Sequence, residues 1–142
     1  MKLKFIDIHS HVNFSVFDVD REEVINRAAE NGVSFIGIGT DKNTSKEVAK
    51  MAEQYPHVYA LVGLHPVYVN PSHEGTRVIV GEDFDYNTYL ELAKHPRVIG
   101  IGECGLDFYH ITSESGEFKE RQQAAFEAQL DLAISAKKPV FL

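Results

Sequence analysis

The sequence predicts an α/β fold built on a parallel sheet, because strand-like and helix-like segments alternate along most of its length. Four short apolar segments each lead toward a stretch with helix-capping residues or apolar residues at helical spacing. Strands joined through helices in this way lie parallel, with right-handed crossovers. The apolar run at residues 35–38 is typical of a strand covered by helices. Since no linker divides the 142 residues, we expect one domain over residues 1–142.

The first two strands flank the first helix. We predict a buried strand over Leu3–Ile8, because this segment is mostly apolar. The helix is expected to begin at Asp20, where Glu23 completes a capping box, and to end at residues 31–32, an Asn-Gly pair typical of helix ends. The second strand is then predicted over Val33–Ile38.

The second helix leads to the third strand. Thr44 and Glu47 form the pattern of another capping box. The helix is expected to stop after Tyr55, because the residue before a proline avoids the helical conformation and Pro56 follows. Val58–Val62 is predicted as the third strand, and it runs directly into a Gly-Leu-His-Pro turn.

The alternation breaks at Val67–Phe84, a stretch with two glycines and a proline. We interpret residues 67–84 as an insertion loop, with a small hairpin around residues 78–80 as one alternative. The regular pattern then resumes. The remaining predicted elements are a helix over residues 85–94, a fourth strand over Val98–Ile101, a helix over Glu117–Ala136 and the start of a fifth strand over Pro139–Leu142.

The composition excludes several classes of protein. The net charge of −7 argues against a broad surface that grips nucleic acid or an anionic membrane, although a small site can still handle phosphate through metal ions. No apolar run approaches the roughly 20 residues of a membrane span. Cys104 is the single cysteine, which excludes an internal disulfide and favours the reducing cytoplasm. We therefore expect a soluble cytoplasmic domain.

Polar residues with metal-ligating chemistry follow the first strand. His9 and His11 are two residues apart, so on an extended backbone both imidazoles point to one face, and Asp7 shares that face one step deeper. Two such histidines can chelate a divalent metal, and a nearby carboxylate can ligate the ion or orient an imidazole. The alternative is that all three make ordinary hydrogen bonds at a strand end. The Asp-x-His-x-His pattern favours the metal site.

Three further candidates follow the third and fourth strands. Glu103 is predicted to face the mouth of the sheet, where a carboxylate can bridge two cations, although a solvated glutamate is the simpler alternative. His65 is either a substrate or phosphate contact at this mouth or a turn histidine bonded to backbone. Asp107 either orients the loop of Glu103 or reaches the site itself. We assign His65 and Asp107 as candidate catalytic residues.

The remaining histidines and the cysteine carry no predicted role. His57, His73, His95 and His110 lie in loops or beside helix ends, so we expect them to be solvated. Cys104 lies next to the candidate site. However, no histidine is placed as its base, so nucleophilic catalysis by this thiol is not expected.

With these residues assembled, the sequence resembles the TatD family of metal-dependent hydrolases. The matching pieces occur in the family's order along the whole chain, while the insertion at residues 67–84 departs mildly from the family's compact pattern. The pieces lie at residues 7–11, 63–66, 102–108 and 123–130, and at the final residues 138–142.

The resemblance implies a TIM-barrel-type (β/α) repeat. This chain would form about half of a (β/α)8 barrel, with four βα units and the start of a fifth strand. It also implies one or two divalent ions (Zn, Mg or Mn) that activate a water for phosphodiester hydrolysis, with DNA or another phosphodiester as the substrate. By motif, His9 and His11 would bind the first cation, Glu103 would bridge both cations, and His65 would lie at the edge of the site.

The family pattern continues beyond Leu142 with two further histidines and an aspartate, which this sequence does not contain. Two hypotheses follow for the 142-residue chain. In the first, it is part of a metal-dependent hydrolase and is inactive or weakly active alone, because His9, His11 and Glu103 supply at most three ligands. In the second, it is a non-catalytic truncated half-barrel that self-associates, for example as a homodimer through the open barrel.

Overall fold

The computed structural model describes residues 3–74, 77–110 and 116–142. Strands and helices alternate over most of these ranges, and a two-stranded hairpin lies between the third strand and the third helix. The strands are β1 (Phe5–Ser10), β2 (Val33–Ile38), β3 (Val58–Val62), β4 (Ser72–Glu74), β5 (Arg77–Ile79) and β6 (Val98–Ile101). The helices are α1 (Arg21–Glu30), α2 (Lys42–Gln54), α3 (Tyr86–Ala93) and α4 (Gly116–Ala136).

The main sheet has four parallel strands in the order β1-β2-β3-β6. The C-terminal residues extend it beyond β6. Val140 forms a parallel bridge with Ile101, and the Phe141 N–H donates to the Ile101 carbonyl at 2.9 Å. Each neighbouring pair of strands is connected through a helix, as in a β/α barrel. The predicted α/β fold class is therefore confirmed, as part of such a barrel.

The helices pack against one face of the sheet and bury the larger core. Each helix contributes at least one side chain that is fully excluded from solvent: Ile25, Val48, Tyr89 and Leu132. Complete burial of a large apolar side chain stabilises the fold by about 1.5–3 kcal/mol. This layer fixes the strands relative to each other, and so fixes where their carboxyl ends lie. A smaller apolar cluster, centred on Ile36, Ile38 and Leu61, lies apart from it.

The prediction that the first strand is buried is wrong. Phe5, Ile6 and Ile8 are 68%, 53% and 65% exposed. The reason is position, because β1 is an edge strand that pairs with β2 and with no other strand of the described ranges. β2 has four apolar residues against three in β1, a strand on each side and helices α1 and α2 packed against it, and five of its six residues are buried. Apolar composition alone does not distinguish these two environments.

Both predicted capping boxes are wrong in detail. Asp20 is the N-cap of α1, but its side chain makes no capping hydrogen bond. In α2 the capping box is formed by Asp41 and Thr44, three residues before the predicted pair. The Asp41 carboxylate accepts from the Thr44 N–H at 2.7 Å, and the Thr44 hydroxyl accepts from the Asp41 N–H at 3.0 Å. Asp41 and Thr44 have the same spacing as Thr44 and Glu47, although a threonine takes the place of the usual Glu or Gln. A carboxylate is also the stronger acceptor at the positive end of a helix.

The segment at residues 67–84 contains the hairpin that we considered as an alternative. Ser72 pairs with Ile79 in the antiparallel ladder of β4 and β5. Polar contacts join this segment to α4, because the Asn70 amide donates to the Phe118 carbonyl at 2.9 Å and Arg121 pairs with Asp83 at 2.8 Å. Within the described ranges, no helix is both long and apolar enough to cross a membrane.

Candidate metal centre

The carboxyl ends of three strands bring the candidate residues to one edge of the sheet. β1 leads into His11, β3 leads into His65, and β6 leads into Glu103. The backbone N–H of Glu103 also donates to the Gly39 carbonyl, which follows β2, at 3.3 Å. Because the strands are parallel, residues distant in sequence meet there, as in other α/β folds.

Three of the predicted ligands converge. One ligand atom each from His9, His11 and Glu103 lies within 4.8 Å of the others. The Nε2 atoms of His9 and His11 are 3.2 Å apart, and His9 Nε2 is 3.6 Å from a Glu103 carboxylate oxygen. Two atoms bound to a tetrahedral zinc ion at about 2.1 Å lie about 3.4 Å apart. The three side chains therefore have the spacing of a metal coordination shell.

The environment of His11 also fits a divalent cation. Its Nδ1 atom is buried and has no hydrogen bond of normal geometry to the described residues, whereas its Nε2 atom faces His9 and is the nitrogen available to an ion. Burial lowers the pKa of His11, and the neighbouring His9 lowers it further, against a raising effect of Glu103 and of the Ile38 carbonyl. A neutral imidazole is the form that binds metal. The donor set of two imidazoles and one carboxylate suits several divalent ions.

His65 faces this cluster with one nitrogen and its own turn with the other. Nδ1 accepts a hydrogen bond from the Val67 N–H at 3.2 Å, and Nε2 lies 3.8 Å from a Glu103 oxygen. Burial lowers the pKa of His65, although Glu103 raises it. The neutral ring therefore carries its proton on Nε2 and can donate it to Glu103 or to a bound oxygen. The two alternatives for His65, a backbone contact and a site contact, are compatible.

A glycine lets the ends of β3 and β6 approach each other closely. A Cβ atom built on Gly63 lies 2.7–2.8 Å from the backbone of Gly102, which is closer than real side chains come. The backbone of Gly102 donates to the Val62 carbonyl at 3.0 Å. This contact brings the residues that follow the two strands, His65 and Glu103, to within reach of each other.

Asp7 lies outside the converging set. Its carboxylate accepts from the backbone N–H of His9 at 3.0 Å, and the register of β1 against β2 shifts between Asp7 and Ser10. The shift breaks the strict alternation from which we predicted that Asp7 shares a face with His9 and His11. Asp7 therefore contacts the backbone that carries a candidate ligand. Its role as a ligand stays a prediction.

Asp107 holds its own loop at the rim of the site. The carboxylate accepts from the N–H groups of Tyr109 and His110 at 3.0 and 3.1 Å, and it pairs with His110 Nδ1 at 2.6 Å. Burial alone would raise the pKa of Asp107, but the hydrogen bonds from His110 lower it below its ordinary value. Asp107 lines a cavity of about 580 Å³ together with His65 and Glu103. Of its two predicted roles, these contacts favour orientation of the loop.

Sequence reasoning missed two buried glutamines of α4 that tie these loops together. The side-chain amide of Gln129 pairs with both the N–H and the C=O of Leu64, at 2.8 and 3.0 Å. Gln122 accepts from the Asp107 N–H at 2.9 Å and donates to the Pro66 and Asp107 carbonyls at 3.0 Å each. The available signal was their spacing, because two polar residues seven apart lie on the same, otherwise buried, face of a helix.

The other histidines differ in environment. His57 is buried and its Nε2 bonds to the Ile25 carbonyl at 3.1 Å, so the expectation that it is solvated is wrong. It follows Pro56 at the start of β3, where α1 covers it. His95 is half-buried and accepts from the Arg97 N–H. His110 is exposed but ion-paired with Asp107, as described above. The side chain of His73 lies outside the described part of the structure.

Cys104 is buried beside the site, and its environment keeps it protonated. Burial raises the pKa of the thiol to about 12, with a further contribution from Glu103. At neutral pH the reactive thiolate is therefore almost absent, which agrees with the expectation that this residue is not a nucleophile.

Two imidazoles and a carboxylate at the strand ends of a partial β/α barrel define a candidate metal site. The comparisons with known proteins are more specific. The chain belongs to the TatD-related DNase family, whose family model matches residues 6–142. The resemblance inferred from the motifs is thus confirmed.

Individual relatives match almost the whole chain. A protein of Rahnella sp. named "3'-5' ssDNA/RNA exonuclease TatD" is 40% identical over 138 residues, and one of the same name from Escherichia fergusonii is 35% identical over 137 residues. The "Uncharacterized metal-dependent hydrolase YabD" of Bacillus subtilis is 34% identical. These matches cover 96% of this chain but 48–49% of each relative, so the chain spans about half the length of these relatives.

A solved structure shows the same fold. The crystal structure of YJJV, a TatD homolog from Escherichia coli K12, is similar with a TM-score of 0.75 and 32% sequence identity. The match covers 96% of this chain and 49% of that protein.

Proposed function

We propose that this chain carries part of the active site of a metal-dependent hydrolase that cleaves phosphodiester bonds, with DNA as the substrate. The observation that carries the proposal is the convergence of His9, His11 and Glu103 within 4.8 Å. The names of the relatives, nucleases and a metal-dependent hydrolase, support it. A cytoplasmic location, expected from the single cysteine, belongs to the same proposal.

A bound divalent ion would acidify a water molecule and offset the charge of the phosphate. His9 and His11 would hold the ion through their Nε2 atoms. Glu103 is flanked on both sides, with one oxygen toward His9 and the other toward His65. One carboxylate oxygen can therefore ligate, while the other lies 3.8 Å from His65 Nε2, close enough for electrostatic attraction but beyond hydrogen-bond distance. A bridging role for Glu103 between two ions, and the choice among Zn, Mg and Mn, remain predictions.

His65 and Asp107 have different places in this proposal. The neutral His65 presents an Nε2–H to the site and can donate it to a phosphate oxygen, which orients the substrate. Asp107 does not aim at the metal ligands, because its oxygens are taken up by Tyr109 and His110. We assign it the positioning of the loop that follows Glu103.

Metal titration tests this proposal directly. Isothermal titration with Zn²⁺ or Mn²⁺ should show binding to the chain that is lost in a His9→Ala, His11→Ala double variant. A His95→Asn variant is the matched control, because His95 lies elsewhere and asparagine retains an acceptor for the Arg97 N–H. Equal affinity in the double variant and the control would remove both histidines from the site.

Activity of the isolated chain is expected to be weak, since three protein ligands are few for a two-metal site. A labelled single-stranded oligonucleotide should be cleaved slowly with Mn²⁺ and not in the presence of a chelator. Cleavage that is indifferent to the chelator would contradict the metal-dependent mechanism.

Self-association is the second candidate, and the exposed edge strand favours it. Phe5, Ile6 and Ile8 present apolar side chains on a strand with an open hydrogen-bonding edge. Such an edge is a template for pairing with another chain. Light scattering should show a dimer or larger species, and an Ile8→Lys substitution should shift it toward monomer. A wild-type chain that stays monomeric at high concentration would contradict this candidate.

A further inference from the structure

The loop that follows Glu103 exposes aromatic side chains beside the metal ligands. Tyr109 is 91% exposed and Phe108 is 44% exposed. Both line the cavity of about 580 Å³ that His65 and Glu103 also line. Large exposed apolar side chains that cluster next to a polar site are typical of a ligand-binding surface. These two rings are called the aromatic platform below.

Hydrogen bonds from Asp107 and from Gln122 of α4 fix the backbone that carries the aromatic platform. Asp107 bonds to the backbone of Tyr109 and His110, and Gln122 bonds to both backbone groups of Asp107. Gln122 is itself buried and donates to the Pro66 carbonyl, next to His65. The loop is therefore ordered before any ligand binds, which reduces the entropy that binding costs.

A positive charge accompanies the rings. The Lys119 ammonium lies 5.3 Å from the centre of the Phe108 ring, although the chain as a whole has a net charge of −7. The ammonium lies over one face of the Phe108 ring, so a base has the other face of this ring and the Tyr109 ring to stack on, with a cation close by for its phosphate. Stacking on aromatic rings beside a cation is how proteins bind unpaired nucleobases.

We propose that Phe108 and Tyr109 stack against a nucleobase next to the phosphate held at the metal centre, and so fix the position of the substrate strand. This inference rests on the proposed function, because it extends the same site. A base inside a duplex is already stacked between its neighbours, so it would have to leave the stack to reach either ring. Every base has a π-face, so the platform discriminates little between sequences.

The test compares two ligands with the same backbone charge. One is a fluorescent five-nucleotide thymidine oligomer, and the other has the same backbone with all five bases removed. Fluorescence anisotropy with Mn²⁺ should give a Kd about tenfold lower for the oligomer with bases, since stacking on an aromatic side chain is worth roughly five- to a hundredfold. Tyr109→Leu should reduce this ratio toward one, and Tyr109→Phe should keep it.

The controls separate this inference from the proposed function. Val19→Ala changes another exposed apolar residue, outside the cavity, and should keep the wild-type ratio. Tyr109 is almost fully exposed, so its substitution should leave the melting temperature unchanged. A ratio of one in the wild type, or an unchanged ratio in Tyr109→Leu, would overturn the platform. Metal-dependent binding that is equal for both ligands would support the metal centre and contradict the aromatic platform. Base-dependent binding that persists with chelator would support the aromatic platform and contradict the metal centre.

Discussion

The two halves of the candidate metal centre are supported in different ways. His65 and Glu103 follow interior strands, and their loops are tied to α4 by Gln122 and Gln129. His9 and His11 follow β1, an edge strand whose apolar side chains are exposed. The first half is therefore ordered by this chain's own core, while the second depends more on what covers the edge. The difference indicates that the three ligands contribute unequally to the stability of the chain.

The largest expected effect is on the free energy of unfolding, when one isoleucine in each half is replaced in turn by alanine and the two losses are compared. Ile101 in β6 is fully buried, so Ile101→Ala should lower the free energy of unfolding by about 2–5 kcal/mol. Ile8 in β1 is 65% exposed, so Ile8→Ala should change it by about 0.5 kcal/mol or less. Urea unfolding measures both values. A comparable loss in the two variants would show that β1 is covered in solution, and the comparison would then fail.

A smaller effect is expected from removing the Gln129 side chain, which bonds to the backbone of Leu64. Gln129→Ala leaves the N–H and the C=O of Leu64 buried without their partner, which should cost about 2–4 kcal/mol. Gln123→Ala is the matched control, because Gln123 lies on the same helix and is exposed. The same urea titrations apply. If both variants lose equal stability, the hydrogen bonds from Gln129 to Leu64 are not what orders the loop of His65.

The smallest effect is a dependence of stability on pH in the absence of metal. The pKa values of His11 and His65 are lowered in the folded chain, chiefly by burial. Unfolding therefore takes up protons as the pH falls below the ordinary histidine value of about 6.5, and stability is lost through the window down to the folded pKa values. Thermal melts from pH 7.5 to 5 should show this decline, and it should be shallower in His65→Asn. An identical slope would place His65 in a more solvated environment than the structure does.

The strand and helix order could be predicted because it depends on local patterns. The apolar runs at β2 and β3 and the proline and glycine signals between elements mark each boundary to within a few residues. The convergence of His9, His11 and Glu103 also followed from a general rule, since parallel strands bring their carboxyl ends to one edge. This part of the site needed no knowledge of packing.

Other features depend on contacts between distant residues, which no local pattern encodes. The Gln129 amide meets Leu64 across 65 positions, and His57 is buried by α1 across 32. The register of β1 against β2 shifts between Asp7 and Ser10, which strict alternation along the strand does not predict. Each of these required the pairing of two segments to be known first.

By itself, then, the sequence determined the α/β class, the family and which three candidate ligands would converge, because periodicity and motif spacing are properties of the chain alone. The tertiary structure decided which apolar strand is buried and which loops are hydrogen-bonded to the glutamines of α4. The physical reason is that burial and hydrogen-bond satisfaction depend on neighbours. β1 and β2 both begin as apolar strands, and β2 is buried because it has a strand on its other side and helices α1 and α2 packed against it.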